Sequence, residues 1–465
     1  MGIGISTWRL ARVVAMSGQL GVVSCTSIDV ILARRLQDGD PDGAMRRALK
    51  QFPFPEIAER IVKDYYIPGG RSSDAPYKSS PVFTQNPDTA LLQLTTAANF
   101  VEVWLAKEGH SGVVGVNYLE KIQLPHLSSL YGALLAGVDY VIMGAGIPRQ
   151  IPEVLDRLVK HEEAQYRLHV EGAEVTFTTT FNPQKILGRL STPLRRPRFL
   201  PIVSSATLAV AMARKAHGGI DGFVVEGALA GGHNAPPRDP EPRNERGEPV
   251  YGPADEVDFT RIRELGLPFW IAGSWAEPSK LRVAEMLGAA GIQVGTAFAF
   301  CQESGMDPEL RERILKQVRD HQVDVFTDPR ASPAGFPFKV ASVPGTVSEK
   351  GCYEERERVC DIGLLRSFFP RPDGSLGYRC PAEPERVYLA KGGAPEDLAD
   401  RKCICNGLLA TAGLAQRRAT GYVEPPIVTA GDDLAHLDRF LQAGTLRYSA
   451  KDVIDQLLAP LPHVP

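Results

Sequence analysis

The sequence predicts an α/β fold: a (β/α)8 barrel with insertions and a C-terminal appendage. Two observations lead there. Eight short β-branched runs are each followed by a helical stretch across the first 320 residues, the alternation expected of βα units on a parallel sheet. The length of 465 residues also accommodates one barrel of about 250 residues with a region appended to it.

In chain order, the strand at 3–5 precedes a helix over 8–17, and 20–24 precedes 28–37. Residues 113–117 precede a helix over 127–136, 139–143 precede 151–161, and 199–204 precede 208–217. The run 222–226 leads through a loop to a short helix near 259–265, 268–272 precedes 278–287, and 291–295 closes the series before 308–319. An open doubly wound sheet shares this alternation, so counting does not prove closure. Residues 40–107 form a helical excursion broken by a Pro/Gly/Ser-rich piece at 68–81, and 164–198 reads as a hairpin plus loop. The polar, proline-rich stretch 236–253 reads as an irregular lid. The expected domains are a barrel over 1–320 and an appendage over 321–465, the latter rich in Pro, Gly and Arg and ending in helices near 433–443 and 451–458.

A net charge of −3 and a pI near 6.3 give no support to nucleic-acid or anionic-membrane binding. No apolar run approaches the roughly 18 residues of a membrane span, and the N-terminus lacks the apolar core of a secretory signal. Seven cysteines, an odd number, point to a reducing cytoplasm rather than a disulfide framework.

The chemistry gathers at the strand ends. The run Val224–Pro236 passes from a buried-strand pattern through Gly231 and Gly232 to His233. Glycine lets backbone approach a flat ligand, and histidine moves protons near neutral pH; a glycine turn with a surface histidine is the plain alternative. The loops Ile271-Ala272-Gly273-Ser274-Trp275 and Gln293-Val294-Gly295-Thr296-Ala297 follow the last two strands, where barrels often hold phosphate. Ser274 and Thr296 add hydroxyls; either loop alone equally suits an ordinary βα turn. Asn117 can donate and accept along the edge of a flavin ring or cap a turn, and the stretch Met143–Pro148 supplies a small-residue rim. Cys360, Cys380, Cys403 and Cys405, with Cys352 nearby, contain one C-x-C and no C-x-x-C pair, a weak zinc pattern, so the expectation is buried thiols and no metal.

The combination of Gly2-Ile3-Gly4-Ile5-Ser6, Gly18–Ser24, Ala230-Gly231-Gly232-His233 and Gln293-Val294-Gly295-Thr296-Ala297-Phe298 resembles the FMN-dependent nitronate monooxygenases. That superfamily also holds FMN-dependent enoyl reductases. The resemblance covers most of residues 1–320. It implies an FMN cofactor, His233 as catalytic base or proton donor, and FMN contacts from Asn117, Glu226, Gly231, Gly232, Gly273, Ser274, Gln293, Val294, Gly295 and Thr296. The implied reaction oxidises alkyl nitronates with molecular oxygen to carbonyl compounds and nitrite. The alternatives are an enoyl reductase acting on acyl thioesters, for which Arg195, Arg196 and Arg198 offer a basic rim, and a flavin-free scaffold. The implied partners are a small-molecule substrate and oxygen, with a homo-oligomer left open. Three departures stand out. Glu226 occupies a position usually held by glutamine, Ser274 replaces a second glycine, and the chain opens inside the first glycine-rich loop, which implies a shortened first strand or a different start.

Overall fold

The computed structural model describes residues 2–460. Its strands begin with β1 (Gly21–Ser24), β2 (Val114–Leu119) and β3 (Tyr140–Gly144). The predicted insertion follows as an antiparallel hairpin, β4 (Ala164–Arg167) with β5 (Thr178–Phe181). Then come β6 (Arg198–Val203), β7 (Phe223–Glu226), β8 (Phe269–Ala272) and β9 (Gly291–Gln293). Seven of these nine build one parallel sheet in the order β1-β2-β3-β6-β7-β8-β9, so each new stave is added beside the previous one. This is the order of a (β/α)8 barrel, here a curled sheet whose edges are β1 and β9.

The strand expected at 3–5 is the exception. Residues 3–5 form a turn, and Gly4 sits at φ +66°, a left-handed conformation that an extended strand does not admit. The segment still lies against the sheet. Ser6 Oγ donates to the Val22 carbonyl at 2.6 Å, and the Ser24 N–H donates to the Ser6 carbonyl at 2.8 Å.

Helices cover the sheet as the apolar periodicity requires. Trp8–Met16 packs on β1 and on the 19-residue helix Thr89–Lys107. The latter is nearly all buried, and Asp88 caps it by accepting from the Leu91 N–H, satisfying a donor the first turn leaves free. Among the described residues no helix is long and apolar enough to cross a membrane.

Beyond residue 320 the chain forms β10 (Val325–Asp328) with β11 (Phe338–Ala341), then β12 (Ser367–Pro370) with β13 (Leu376–Arg379). The helix Ile404–Thr411, the 3-10 run Asp432–Phe440 and the helix Ala450–Leu458 follow. Among the described residues this region shares its core with the barrel. One cluster joins Val23, Val116, Val225 and Ile271 of the sheet to Phe338, Ile404 and Ile427. Another joins Ile5 and Leu10 to Phe300, Val428, Tyr448 and Val453. At about 1.5–3 kcal/mol for each fully buried aliphatic or aromatic side chain, these shared contacts make the appendage part of the barrel's own core.

Candidate active site

The carboxyl ends of the strands open into an inner cavity of about 190 Å³. Every residue expected to be catalytic or to contact the cofactor lines it: Asn117 from β2, Glu226 from β7, Gly231, Gly232 and His233 from the loop after β7, Gly273 and Ser274 after β8, and Gln293 to Thr296 at β9. An outer cavity of about 1640 Å³ adjoins it. Ala145, Ile202, Glu226, His233 and Leu365 line both, so the histidine stands at the junction.

His233 is held from the appendage. Its Nε2 lies 2.6 Å from Ser332 Oγ, whose oxygen also accepts from the Ala334 N–H at 3.1 Å. The ring packs edge-on against Phe338, with centroids 4.8 Å apart. Burial pushes the imidazole down to about 4, and the Lys121 charge adds to the effect. At pH 7 the ring is therefore neutral, a hydrogen-bonding group and a weak base. Glu226 moves the opposite way, as burial pushes its carboxyl up to about 7. A carboxylic acid half protonated at neutral pH presents an O–H where a glutamine presents an N–H, which answers the electrostatic objection to a carboxylate here.

The two loops after β8 and β9 form a cradle. Gly273 lies at φ +100° and Ser274 at φ +59°, so the glycine expected at the second position is replaced by a serine held in the left-handed region. Such a residue costs about 1–2 kcal/mol and marks a site where the backbone is constrained. Among the described residues, the N–H groups of Gly273, Ser274, Gly295 and Thr296 have no protein acceptor. Among the described residues no lysine or arginine lines the inner cavity, and Lys280 Nζ donates to the Ser274 carbonyl at 2.9 Å. Four free amide donors around small residues suit a phosphate, and the buried Asn117 amide suits the polar edge of a planar ring. By this test the residues present fit FMN.

Two expectations need correction. Ser274 Oγ is not a free donor, because it donates to the Leu229 carbonyl at 3.1 Å and accepts from the Asp433 N–H at 3.2 Å. Thr296 Oγ1 accepts from the Gly431 N–H at 2.9 Å and keeps its own proton. The proposed basic rim is also misplaced. Arg195 pairs with Asp139, Arg196 with Asp156 and Asp221, and Arg198 donates to the Tyr140 hydroxyl. Arg198 opens β6, so this cluster neutralises acids at the amino end of the sheet, away from the cavities.

The appendage supplies a wall that sequence reading missed. Gly232 N–H donates to Thr429 Oγ1 at 2.9 Å. A Cβ on Gly231 would lie 2.7 Å from both the Ala430 carbonyl carbon and the Gly431 nitrogen, so the glycine is required for the 430–431 backbone to approach. Asp433 lines the cavity with its carboxylate paired to Arg439 at 2.8 Å. These partners lie 99 to 197 residues away in sequence, a separation that leaves no local pattern to read.

An open β/α barrel with an amide-lined cradle and a half-buried histidine at its mouth defines a class of enzyme-like site for an anionic, planar ligand. Residues 161–328 match the nitronate monooxygenase family model. Curated relatives agree. A nitronate monooxygenase from Pseudomonas aeruginosa is 34% identical over 130 residues, 27% of this chain and 35% of that protein. A probable nitronate monooxygenase from Staphylococcus haemolyticus is 27% identical over 130 residues, 28% of this chain and 35% of that protein. The chain thus matches about a third of the length of these relatives. Among solved structures, FabK from Thermotoga maritima aligns over 98% of this chain and 89% of its own with 16% identity and a TM-score of 0.45. Nitroalkane oxidase from Streptomyces ansochromogenes aligns over 98% and 92% with 15% identity and a TM-score of 0.44.

Proposed function

We propose that the protein is an FMN-dependent oxidoreductase that oxidises alkyl nitronates with molecular oxygen to carbonyl compounds and nitrite. The observation that carries this reading is the convergence of eleven strand-end residues, His233 among them, on one inner cavity. Gly273, Ser274, Gly295 and Thr296 would hold the phosphate through backbone N–H groups. Asn117, Glu226 and Gln293 would meet the ring edge. The chemistry such a flavin supplies is two-electron transfer, from the nitronate and on to oxygen.

The residues then select the substrate form. An imidazole with its protonation depressed to about 4 is mismatched by several units to a nitroalkane carbon acid, so proton abstraction by His233 is slow. A preformed nitronate needs no such step, and its negative charge favours the protonated ring. His233 and Ser332 thereby orient the anion rather than create it. Oxygen consumption with nitrite release tests this. The expected result is much higher kcat/KM for the nitronate than for the parent nitroalkane, and equal values contradict it.

The outer cavity favours one second reading. At about 1640 Å³ it exceeds the roughly 300–1,000 Å³ of a usual small-molecule site, room that suits an acyl thioester in an enoyl reductase. Its walls carry Lys121, Arg149, Arg167, Arg238 and Arg366 against Glu120, Glu171, Glu226, Asp255 and Glu256, a balance with no pull toward an acidic carrier. Nicotinamide-driven reduction of an enoyl thioester, with no turnover of nitronates, would decide for that reading.

A further inference from the structure

The nitronate chemistry leaves one buried charge in the wall of the outer cavity without a partner. Glu120 follows β2, and its N–H donates to the Gly144 carbonyl at 2.7 Å, which sets it beside the rim after β3. The residue is only 8% exposed. Its Oε1 accepts from Gln123 Nε2 and from the Tyr166 hydroxyl, each at 2.9 Å. Both donors are themselves held. Gln123 Oε1 accepts from the His169 N–H at 2.8 Å, and the Tyr166 ring packs edge-on against His126 with centroids 5.1 Å apart. One carboxylate oxygen is thus fixed and fully used.

The other oxygen is free. Among the described residues Oε2 has no donor and the carboxylate has no ion pair. The neighbouring Lys121 turns its ammonium over the Phe336 ring at 4.9 Å, and Arg149, Arg167 and Arg238 are exposed. Oε2 fills the place that a Cβ on Gly146 would take, so glycine at this position makes room for it. Glu120 and Gly146 both line the outer cavity, and the adjoining Ala145 lines both cavities. The free oxygen therefore stands close to the junction occupied by His233. A second acceptor is orphaned in the same wall. Asn234 is 2% exposed and lines the outer cavity; its Nδ2 donates to the Ala230 carbonyl at 3.0 Å, while its Oδ1 has no partner. A buried charge without a counter-charge and a buried acceptor without a donor are both costly. Together they call for a ligand that brings donors, and the carboxylate calls for a cation.

We propose that Glu120 recognises an ammonium group, so that the substrate is a zwitterion: an alkyl nitronate whose far end carries a primary ammonium. The anionic end rests on the nitronate reading above and lies with His233. The ammonium donates to Glu120 Oε2, and Asn234 Oδ1 is the acceptor left for a further donor. Glu120 binds and orients; no bond is made or broken there.

The test compares ω-amino nitronates, propyl to hexyl, with unsubstituted nitronates of the same length on the FMN-loaded protein. The expected result is a kcat/KM about 10–100-fold higher for the ammonium series at its best-fitting length. Glu120→Gln keeps an oxygen for Gln123 and Tyr166 but loses the charge, and should erase that preference. Glu256→Gln, an exposed carboxylate of the same cavity, should keep it. Equal kcat/KM for the two series overturns the proposal, as does a preference that survives Glu120→Gln or vanishes in Glu256→Gln. Calorimetry with ω-amino carboxylates against plain carboxylates reads the same site without turnover. Tighter binding of the amino series with no nitronate turned over would sink the nitronate reading and leave the site. Equal turnover of both nitronate series would sink the site and leave the reading. Equal or undetectable binding with no turnover removes both. The wild-type comparisons stand even if Glu120→Gln does not fold.

Discussion

The inner cavity has two walls of different origin. The strand-end wall, from Asn117 to Thr296, is built by residues that each sit within a few positions of a strand terminus. The opposite wall, from Phe338, Thr429, Ala430 and Asp433 with Ser332 behind His233, is built by a region with short strands and much irregular backbone. The first wall offers donors and small residues; the second fixes where they point. Ser332 sets His233, and the Gly431 and Asp433 N–H groups engage the hydroxyls of Thr296 and Ser274. Chemistry is local to the barrel and geometry is imposed from about a hundred residues downstream or more.

Substitutions separate the two walls. His233→Ala removes a hydrogen bond to the anion worth about 1.5–3 kcal/mol, so nitronate kcat/KM should fall by about 10–100-fold with FMN content nearly unchanged, measured by steady-state kinetics and flavin absorbance. Unchanged turnover removes His233 from the chemistry. Gly273→Leu forces a branched side chain into φ +100° with the Gly227 carbonyl oxygen 3.2 Å from the new Cβ. A strain of roughly 3 kcal/mol corresponds to about 100-fold weaker FMN binding, read by fluorescence titration. Gly431→Val tests the second wall. Its Cβ would lie 2.7 Å from the Leu229 carbonyl oxygen, so overpacking of about 1–3 kcal/mol should lower Tm and weaken FMN about tenfold, while the strand-end wall keeps its residues. FMN affinity at the wild-type value in that variant would mean the appendage is only a neighbour.

The pH dependence of stability is the most diagnostic of burial. Glu226 has its folded value raised from 4.5 to about 7, so its contribution to stability is lost as pH rises through that window. His233 has its folded value lowered from 6.5 to about 4, so its contribution is lost as pH falls through that one. Between pH 4.5 and 6.5 the two slopes oppose each other. Relative to wild type, Glu226→Gln should gain stability as pH rises across this range and His233→Asn should lose it, measured by urea unfolding. Parallel profiles would show that these groups are not buried as described.

The sequence pattern reads the first wall well and the second hardly at all. Seven of the eight expected strands form because β-branched runs end in glycine or polar residues, as at Val224-Val225-Glu226-Gly227. Residues 3–5 mislead because two isoleucines flank a glycine that adopts φ +66°. The arginines at 195–198 mislead because composition does not say which end of a strand they face. Thr429, Gly431 and Ser332 carry no signal, since their partners lie 99 to 197 residues away in sequence.

The central claim is that the inner cavity holds FMN and passes it electrons from a nitronate beside His233. The most direct test is the visible spectrum of the FMN-reconstituted protein during anaerobic addition of ethyl nitronate. Stoichiometric FMN and bleaching of its band in the wild type, slowed in His233→Ala at equal flavin content, is the predicted result. A protein that takes up no FMN, or an FMN band indifferent to the nitronate, contradicts it.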